Sequence, residues 1–297
     1  MAEVAMLGTG RMGSAMARRI VLAGHQLVIW NRSRPSADEL ASDVGSLLAR
    51  VADTAAEAAA GAQFIISSLA NGDATQAVLL DPTFLASLRP DSIVCDMGTS
   101  GISSALAVSN KFEEVGHLFV DAPVSGSVAT ADAGQLFVMA SGDESAVSAL
   151  KPILMTFSKQ VTYLGVAGNG QAMKLAVNLV VHSVNAALSE AFVFASQAGI
   201  SPEDAYGVFE DSVVGSAFIR YKRQAFLTDQ APVAMTLDLV KKDLGLISSS
   251  AAQLDLNLSV TNAVASLVDE SCDAGFGSRD MADLSKFLSQ ALPSVSS

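Results

Sequence analysis

Short apolar runs alternate with stretches of helical composition through the first half of the chain. The runs Glu3–Gly8, Gln26–Trp30, Gln63–Ser68, Ser92–Asp96, His117–Asp121, Gln135–Ala140 and Gln160–Leu164 read as strands. Segments between them, such as Met12–Ala23 and Thr54–Ala60, read as helices. Strand, helix and strand in repetition predict an α/β domain with a mostly parallel sheet covered on both faces. The pattern changes after Gly165. The run GVAGNG reads as a hinge, and the next thirty or so residues read as one long helix. Further helical segments follow near 203–211, 236–254 and 258–272, with no convincing strand. The expected organisation is an α/β domain over 1–165 and an all-α domain over 166–297, joined through the long helix.

Gly8-Thr9-Gly10-Arg11-Met12-Gly13 fits G-x-G-x-x-G. It follows the apolar strand EVAML and opens a helix, the context that turns a weak pattern into a dinucleotide-binding signal. Glycines allow the tight turn and the close approach of backbone to a pyrophosphate at the positive helix N-terminus. The first domain is therefore expected to be Rossmann-like. The second strand ends Ile29-Trp30-Asn31-Arg32-Ser33-Arg34. An NAD site usually places an acid here to accept from the ribose hydroxyls. Asn31 and Arg32 stand there instead, and a guanidinium pairs with a 2′-phosphate where a carboxylate could not. NADP(H) is the expected cofactor; the plainer reading leaves Arg32 and Arg34 as solvated loop charges.

On the long helix, Lys174, Asn178 and Asn185 project within about 40° of one another at 100° per residue. Such a line is usually a solvent face. Following a hinge, it can also face a cleft, where a desolvated ammonium becomes a usable acid or base. His182 lies some 80° from Lys174 and reads as packing or surface. His25 and His117 sit at strand entries without obvious partners. The loop Asp121-Ala122-Pro123-Val124-Ser125-Gly126-Ser127 follows a strand, so it reads either as a plain turn or as an anion-binding nest.

Composition narrows the classes. With 297 residues, half of them apolar, the chain can bury a core without disulfides or metal staples. Only 16% of residues are charged, which argues against disorder and suggests surface covered by another subunit. A formal charge of −12 argues against nucleic acid as the main partner. Cys95 and Cys272 match neither a disulfide framework nor zinc spacing, and Cys95 lies in a run that reads as a buried strand. No metal site is expected. Glu3 and the missing cationic lead-in argue against a signal peptide. The longest apolar candidate for a membrane span, around 172–194, is interrupted by Lys174, Asn178, His182, Asn185 and Glu190. A soluble, reduced, cytoplasmic protein is the expectation.

Together the motifs GTGRMG (8–13), SLAN (68–71), DMGTS (96–100), DAPVSGSVATADAG (121–134), GNGQAMKLAVN (168–178) and KKDLGL (241–246) resemble the β-hydroxyacid dehydrogenase family. That family includes 3-hydroxyisobutyrate dehydrogenases and glyoxylate/succinic semialdehyde reductases, and the likeness spans nearly the whole chain. The resemblance implies Lys174 as catalytic acid/base, with Asn178 positioning it or the substrate. It implies that Ser125, Gly126 and Ser127 hold a substrate carboxylate. Gly8, Thr9, Gly10, Arg11, Met12 and Gly13, with Asn31, Arg32 and Ser33, would hold the cofactor. Leu69, Ala70 and Thr99 would line it beside the nicotinamide, and Lys242 would close over cofactor and substrate. The family's helical domain commonly packs against another subunit, so a homodimer or homotetramer is expected.

Four positions depart from the family pattern. Ala70 replaces the usual proline, Gly98 the usual serine, Ser127 the third loop glycine and Leu179 the second asparagine after the lysine. The changes at 98 and 127 bear on substrate identity rather than on the lysine. Imine reductases share the two-domain plan but usually carry Asp, Tyr or another residue where Lys174 stands. A non-catalytic NADP-binding module would be expected to have lost Lys174 or Ser125. The sequence leaves open which semialdehyde or keto acid is used, and whether Phe218, Tyr221, Phe226, Met235 and Asp243 line a substrate or simply pack.

Overall fold

The computed structural model describes residues 2–45 and 47–290. Two compact units divide the chain, Met1–Lys174 and Leu175–Ser297. In the first, strands and helices alternate: β1 (Glu3–Leu7), α1 (Arg11–Leu22), β2 (Gln26–Trp30), α2 (Arg34–Val44), β3 (Ala49–Val51), α3 (Ala55–Ala59) and β4 (Phe64–Ser67). Then come α4 (Gly72–Leu79), α5 (Pro82–Ser87), β5 (Ile93–Asp96), α6 (Ile102–Glu114), β6 (Leu118–Asp121) and β7 (Val124–Ser125). The series closes with α7 (Val128–Asp132), β8 (Leu136–Gly142), α8 (Glu144–Leu154), β9 (Ser158–Tyr163) and α9 (Asn169–Gln197), which continues into the second unit.

The sheet runs β3-β2-β1-β4-β5-β6-β8-β7, with β9 beside β8. Strands β1 to β6 pair in parallel, whereas β8 pairs antiparallel with β6 and β7. Period-two alternation sends the side chains to two cores. Val4, Met6, Leu27, Ile29, Ile66 and Cys95 pack with α1 and α8 residues such as Met16, Ile20 and Leu150. Ala5, Leu7, Val28, Ile65 and Val94 pack on the other side with Phe84, Val108 and Phe112. Each buried large aliphatic side chain contributes about 1.5–3 kcal/mol, so a one-residue slip of any central strand would be ruinous. The order reverses between β1 and β4, and ligands of such sheets gather at that switch, beyond the carboxyl ends of the strands.

The sheet has two strands beyond the expected set. β3 is three residues long with exposed Arg50 in its middle, and β7 is two residues inside the segment read as a loop. Neither is long enough to show alternation. His25 also has a partner after all, since its Nδ1 accepts the Ala2 N–H at 3.3 Å. Cys95 is fully buried and free, as its run suggested.

The second unit is helical over its described residues. It holds the rest of α9, then α10 (Pro202–Asp211), α11 (Ala217–Leu227), α12 (Leu237–Gln253), α13 (Ser259–Ser271) and α14 (Leu284–Gln290). Hydroxyls start three of these helices: Ser201, Ser216 and Thr236 each accept a backbone N–H from the first turn. α11 was not expected, because AFIRYKRQAFL carries three cations on a short apolar pattern. The structure buries one of them, Lys222, whose Nζ lies 2.6 Å from Asp280 Oδ1. Tyr206, Phe192 and Phe226 form the aromatic centre, with the Tyr206 and Phe226 centroids 5.4 Å apart.

Candidate active site

The first unit contributes a glycine turn at the switch point. Gly8 follows β1 with φ +100, and a Cβ there would lie 2.4 Å from the Ser68 carbonyl oxygen. A Cβ on Gly13 would meet the Gly8 carbonyl oxygen at 2.2 Å, so α1 packs this closely only with glycine there. Gly10 is different: nothing lies within 4 Å of its notional Cβ, and it begins α1 without a side-chain cap. The start of this twelve-residue helix is therefore open at the switch point, as a dinucleotide's pyrophosphate requires. The residues present fit a dinucleotide. Arg11 is exposed, Met12 half-buried, and Thr9 buried with no hydrogen-bond partner on its hydroxyl among the described residues.

Asn31 is committed to the backbone. Its Oδ1 accepts the Thr9 N–H at 3.1 Å and its Nδ2 donates to the Ser33 carbonyl at 3.0 Å, stitching the glycine turn to the end of β2. Arg34 is engaged by Asp53 and Asp38. Arg32 and Ser33 are exposed. Leu69 and Ala70 follow β4, where Asn71 caps α4, and half-buried Thr99 follows β5. Gly98 lies in that loop too, its notional Cβ 3.1 Å from the Leu69 carbonyl oxygen; a serine would crowd the loop by a few tenths of an ångström.

Ser125 is half-buried at the end of β7. Gly126 has φ +137, and a Cβ would press on Leu136 and Thr130 at 2.7 and 3.0 Å. Ser127 spends its hydroxyl locally, accepting the Thr130 N–H at 3.2 Å and facing the Thr130 hydroxyl at 3.0 Å. Replacing a loop glycine by serine here thus serves the cap of α7 in this structure.

Lys174 and Asn178 stand one turn apart on α9, Lys174 half-buried. Among residues of the second unit, the predicted polar line is not a solvent face. Asn178 and Asn185 are 7% and 2% exposed. Asn178 Nδ2 donates to Asp243 Oδ2 at 2.7 Å, and Asn185 Nδ2 donates to the Met281 carbonyl at 2.9 Å. His182, set aside from the sequence, belongs to the same knot: it is buried, with Nε2 3.7 Å from Asp243 Oδ2. Its spacing of four residues from Asn178 was the available signal. Lys242 Nζ lies 3.1 Å from Asp243 Oδ1. Burial opposes the charged form of Asp243, but the facing His182 imidazole and the Lys242 ammonium outweigh it and hold its carboxyl below the usual range. Of the other open candidates, Phe226 is core, Phe218 packs against that core, Met235 is half-buried and Tyr221 is exposed.

Comparison with known proteins agrees with this architecture. Residues 3–165 match the NAD binding domain of 6-phosphogluconate dehydrogenase. Residues 168–288 match the NAD-binding region of NADP-dependent 3-hydroxyisobutyrate dehydrogenase. The chain belongs to the β-hydroxyacid dehydrogenase family. Within it, the chain is 27% identical to the chloroplastic glyoxylate/succinic semialdehyde reductase 2 of Arabidopsis thaliana, over 97% of this chain and 80% of that one. The structure of Mycobacterium tuberculosis 3-hydroxyisobutyrate dehydrogenase with L-serine aligns at a TM-score of 0.84 and 28% identity, covering 97% and 99% of the two chains. An imine reductase from Pseudomonas sp. aligns at 0.63 and 24% identity over 97% and 99%, a likeness of fold alone. The chain is accordingly an oxidoreductase of the hydroxyacid dehydrogenase kind with a nicotinamide dinucleotide cofactor.

Proposed function

We propose that this β-hydroxyacid dehydrogenase interconverts a small carboxylate-bearing semialdehyde or keto acid and its hydroxyacid, uses NADP(H), and employs Lys174 as general acid/base. The observation that carries the reading is Asn178, four residues after Lys174 along α9, anchored by its amide on the buried carboxylate of Asp243. When bound, a nicotinamide cofactor would supply the hydride chemistry in both directions. Negative charge then builds on the substrate oxygen, and an ammonium stabilises and protonates it. Lys174 gives that proton in reduction and accepts it in oxidation. Ser125 and Gly126 bind the substrate carboxylate, orienting the reacting carbonyl through a part that does not react.

Arg32, exposed at the end of β2 where an acid would mark an NAD site, takes the 2′-phosphate. Gly8, Gly10 and Gly13 accommodate the pyrophosphate, and Leu69, Ala70 and Thr99 line the ring. Lys242, on the same carboxylate as Asn178, is the cation of α12 assigned to cofactor and substrate.

Self-association has its own support. Met173, Val180, Ala187 and Phe194 recur every seven residues on α9 and are all exposed, Phe194 by 77%. By length and composition α9 could also cross a membrane, with a mean hydropathy of 1.4 over its best window. Its buried stripe of Gln171, Asn178, Asn185 and Ser189, however, is polar and hydrogen-bonded within the protein. The apolar stripe is therefore assigned to a second copy of the chain, as dimer or tetramer.

Purified protein assayed for NADPH consumption against glyoxylate, succinic semialdehyde and related acids, beside cyclic imines and with NADH as control, tests the reading. Fast turnover of a carboxylate substrate with NADPH is expected. Turnover of imines alone, or equal use of NADH, would overturn it.

A further inference from the structure

One turn before Lys174, the chain passes through a buried knot of hydrogen bonds lying wholly within the first unit. Asp121, the last residue of β6, is fully buried. Its Oδ1 accepts the Gly168 N–H at 2.9 Å and the Ser141 hydroxyl at 2.6 Å, and its Oδ2 accepts the Gln171 N–H at 3.0 Å. Ser141 Oγ in turn accepts the Gly170 N–H at 2.8 Å. One carboxylate and one hydroxyl thus satisfy backbone donors that the start of α9 would otherwise leave unpaired. Space there is minimal: a Cβ on Gly170 would lie 2.6 Å from the Met139 carbonyl oxygen and 2.7 Å from Asp121 Oδ2.

The fully buried side chain of Gln171 reaches away from that knot. Its Nε2 donates to the Gly98 carbonyl at 2.9 Å, and its Oε1 accepts the N–H groups of Ser100 and Gly101, each at 3.2 Å. From the other side, Asp96 Oδ1 accepts the Gly98 N–H at 3.3 Å and the Ser67 hydroxyl at 2.8 Å. The 98–101 loop, which carries Thr99, is therefore gripped by a strand carboxylate and by the first turn of the helix that bears Lys174. An apolar side chain would fill the volume of Gln171. The amide adds fixed distances and directions, because a buried amide is tolerated only when its donor and acceptor are met.

We propose that Gln171 is a positioning residue for the reaction, fixing Lys174 relative to the 98–101 loop, with Asp121 and Ser141 holding the helical turn that presents it. Lys174 follows Gln171 by three residues, about 4.5 Å along the helix axis, so a displaced first turn carries the ammonium with it. The inference rests on Lys174 as the acid/base and adds how its place is set.

The test is Gln171→Met, which fills the space without the three bonds, beside Gln171→Glu, which keeps an acceptor for Ser100 and Gly101 but loses the donor to Gly98. Steady-state rates with NADPH and with NADPH deuterated at C4 are measured on glyoxylate and succinic semialdehyde. Gln171→Met is expected to lower kcat by about tenfold or more, the scale of a small misplacement of a reacting group. Its deuterium isotope effect on kcat should rise, with Gln171→Glu intermediate. A role confined to stability would lower the melting midpoint and leave the isotope effect of the folded enzyme unmoved; that result, or unchanged kcat in both variants, overturns the inference. Amide exchange needs no substrate. Ser100 and Gly101 should exchange about tenfold faster in Gln171→Met while the amides of β1 and β4 do not change, and equal protection of the loop counts against the proposal. Lys174→Met, run in parallel, separates the two layers: full activity there removes the acid/base reading. An inactive Lys174→Met beside an unaffected Gln171→Met removes only the positioning role.

Discussion

Replacing Asp243 by asparagine keeps the shape of the group that anchors Asn178 and removes its charge. The wild-type carboxylate accepts the Asn178 amide at 2.7 Å, faces His182 at 3.7 Å and pairs with Lys242 at 3.1 Å, all in a nearly buried setting. Hydrogen bonds to a charged acceptor are worth about 1.5–3 kcal/mol against about 1 for neutral ones. Adding the attraction of Lys242, screened because that lysine is partly exposed, gives an expected loss of about 1–3 kcal/mol. The melting midpoint should fall by roughly 3–10 °C. The pH dependence has a definite sign. The carboxyl is held below its ordinary value of 3.8, so its contribution is fully present above that pH and disappears as pH falls through the lower folded value. Denaturant titrations of both proteins at pH 7 and below pH 3.8 should show the deficit at neutral pH and its shrinkage in acid. Turnover should fall as well, by about tenfold, since the Asn178 amide loses its fixed direction. Equal stability at pH 7, or a deficit that persists unchanged in acid, would refute the reasoning.

Two other perturbations test separate parts of the account. Arg32→Ala should weaken NADPH binding by about 10–100-fold, the worth of a charge-assisted contact with a phosphate, and leave NADH nearly untouched; fluorescence titration with both cofactors would expose an equal loss as a failure of the phosphate assignment. Burial pushes the Asp96 carboxyl up to about 6, against the Ser67 hydroxyl and the Gly98 N–H that favour its charge. A raised folded value means stability is lost as pH climbs from about 4 to 6, by about 3 kcal/mol at two pH units of displacement. Asp96→Asn should therefore show a flatter stability profile than wild type across that window, and parallel profiles would contradict the assignment.

Where long-period patterning operated, the fold was legible. Strands β1, β2, β4, β5, β6, β8 and β9 are all readable as apolar runs, and the glycine spacing marks the tight turn after β1. β3 and β7 escaped because two or three residues cannot display alternation, and α11 escaped because Lys222 and Arg223 look solvated until Asp280 and Glu210 are found against them. For the candidate site, Lys174 and Asn178 stand out in the sequence through helical phase together with the family resemblance. Their support does not. Asp243 is sixty-five residues from Asn178, Asp121 fifty from Gln171, and nothing local in the sequence ties such residues together. Asn31 and Ser127 illustrate the converse, since residue types suited to ligand contact here satisfy nearby backbone N–H groups.

In the proposed reaction Lys174 moves the proton. Lys174→Ala, studied by stopped-flow NADPH oxidation with the best acid substrate and by equilibrium NADPH titration, tests this most directly. Turnover falling by about 10²-fold or more with nearly unchanged cofactor affinity is the predicted result. Turnover within a few-fold of wild type, with the cofactor equally well bound, would contradict it and move the proton transfer to another group.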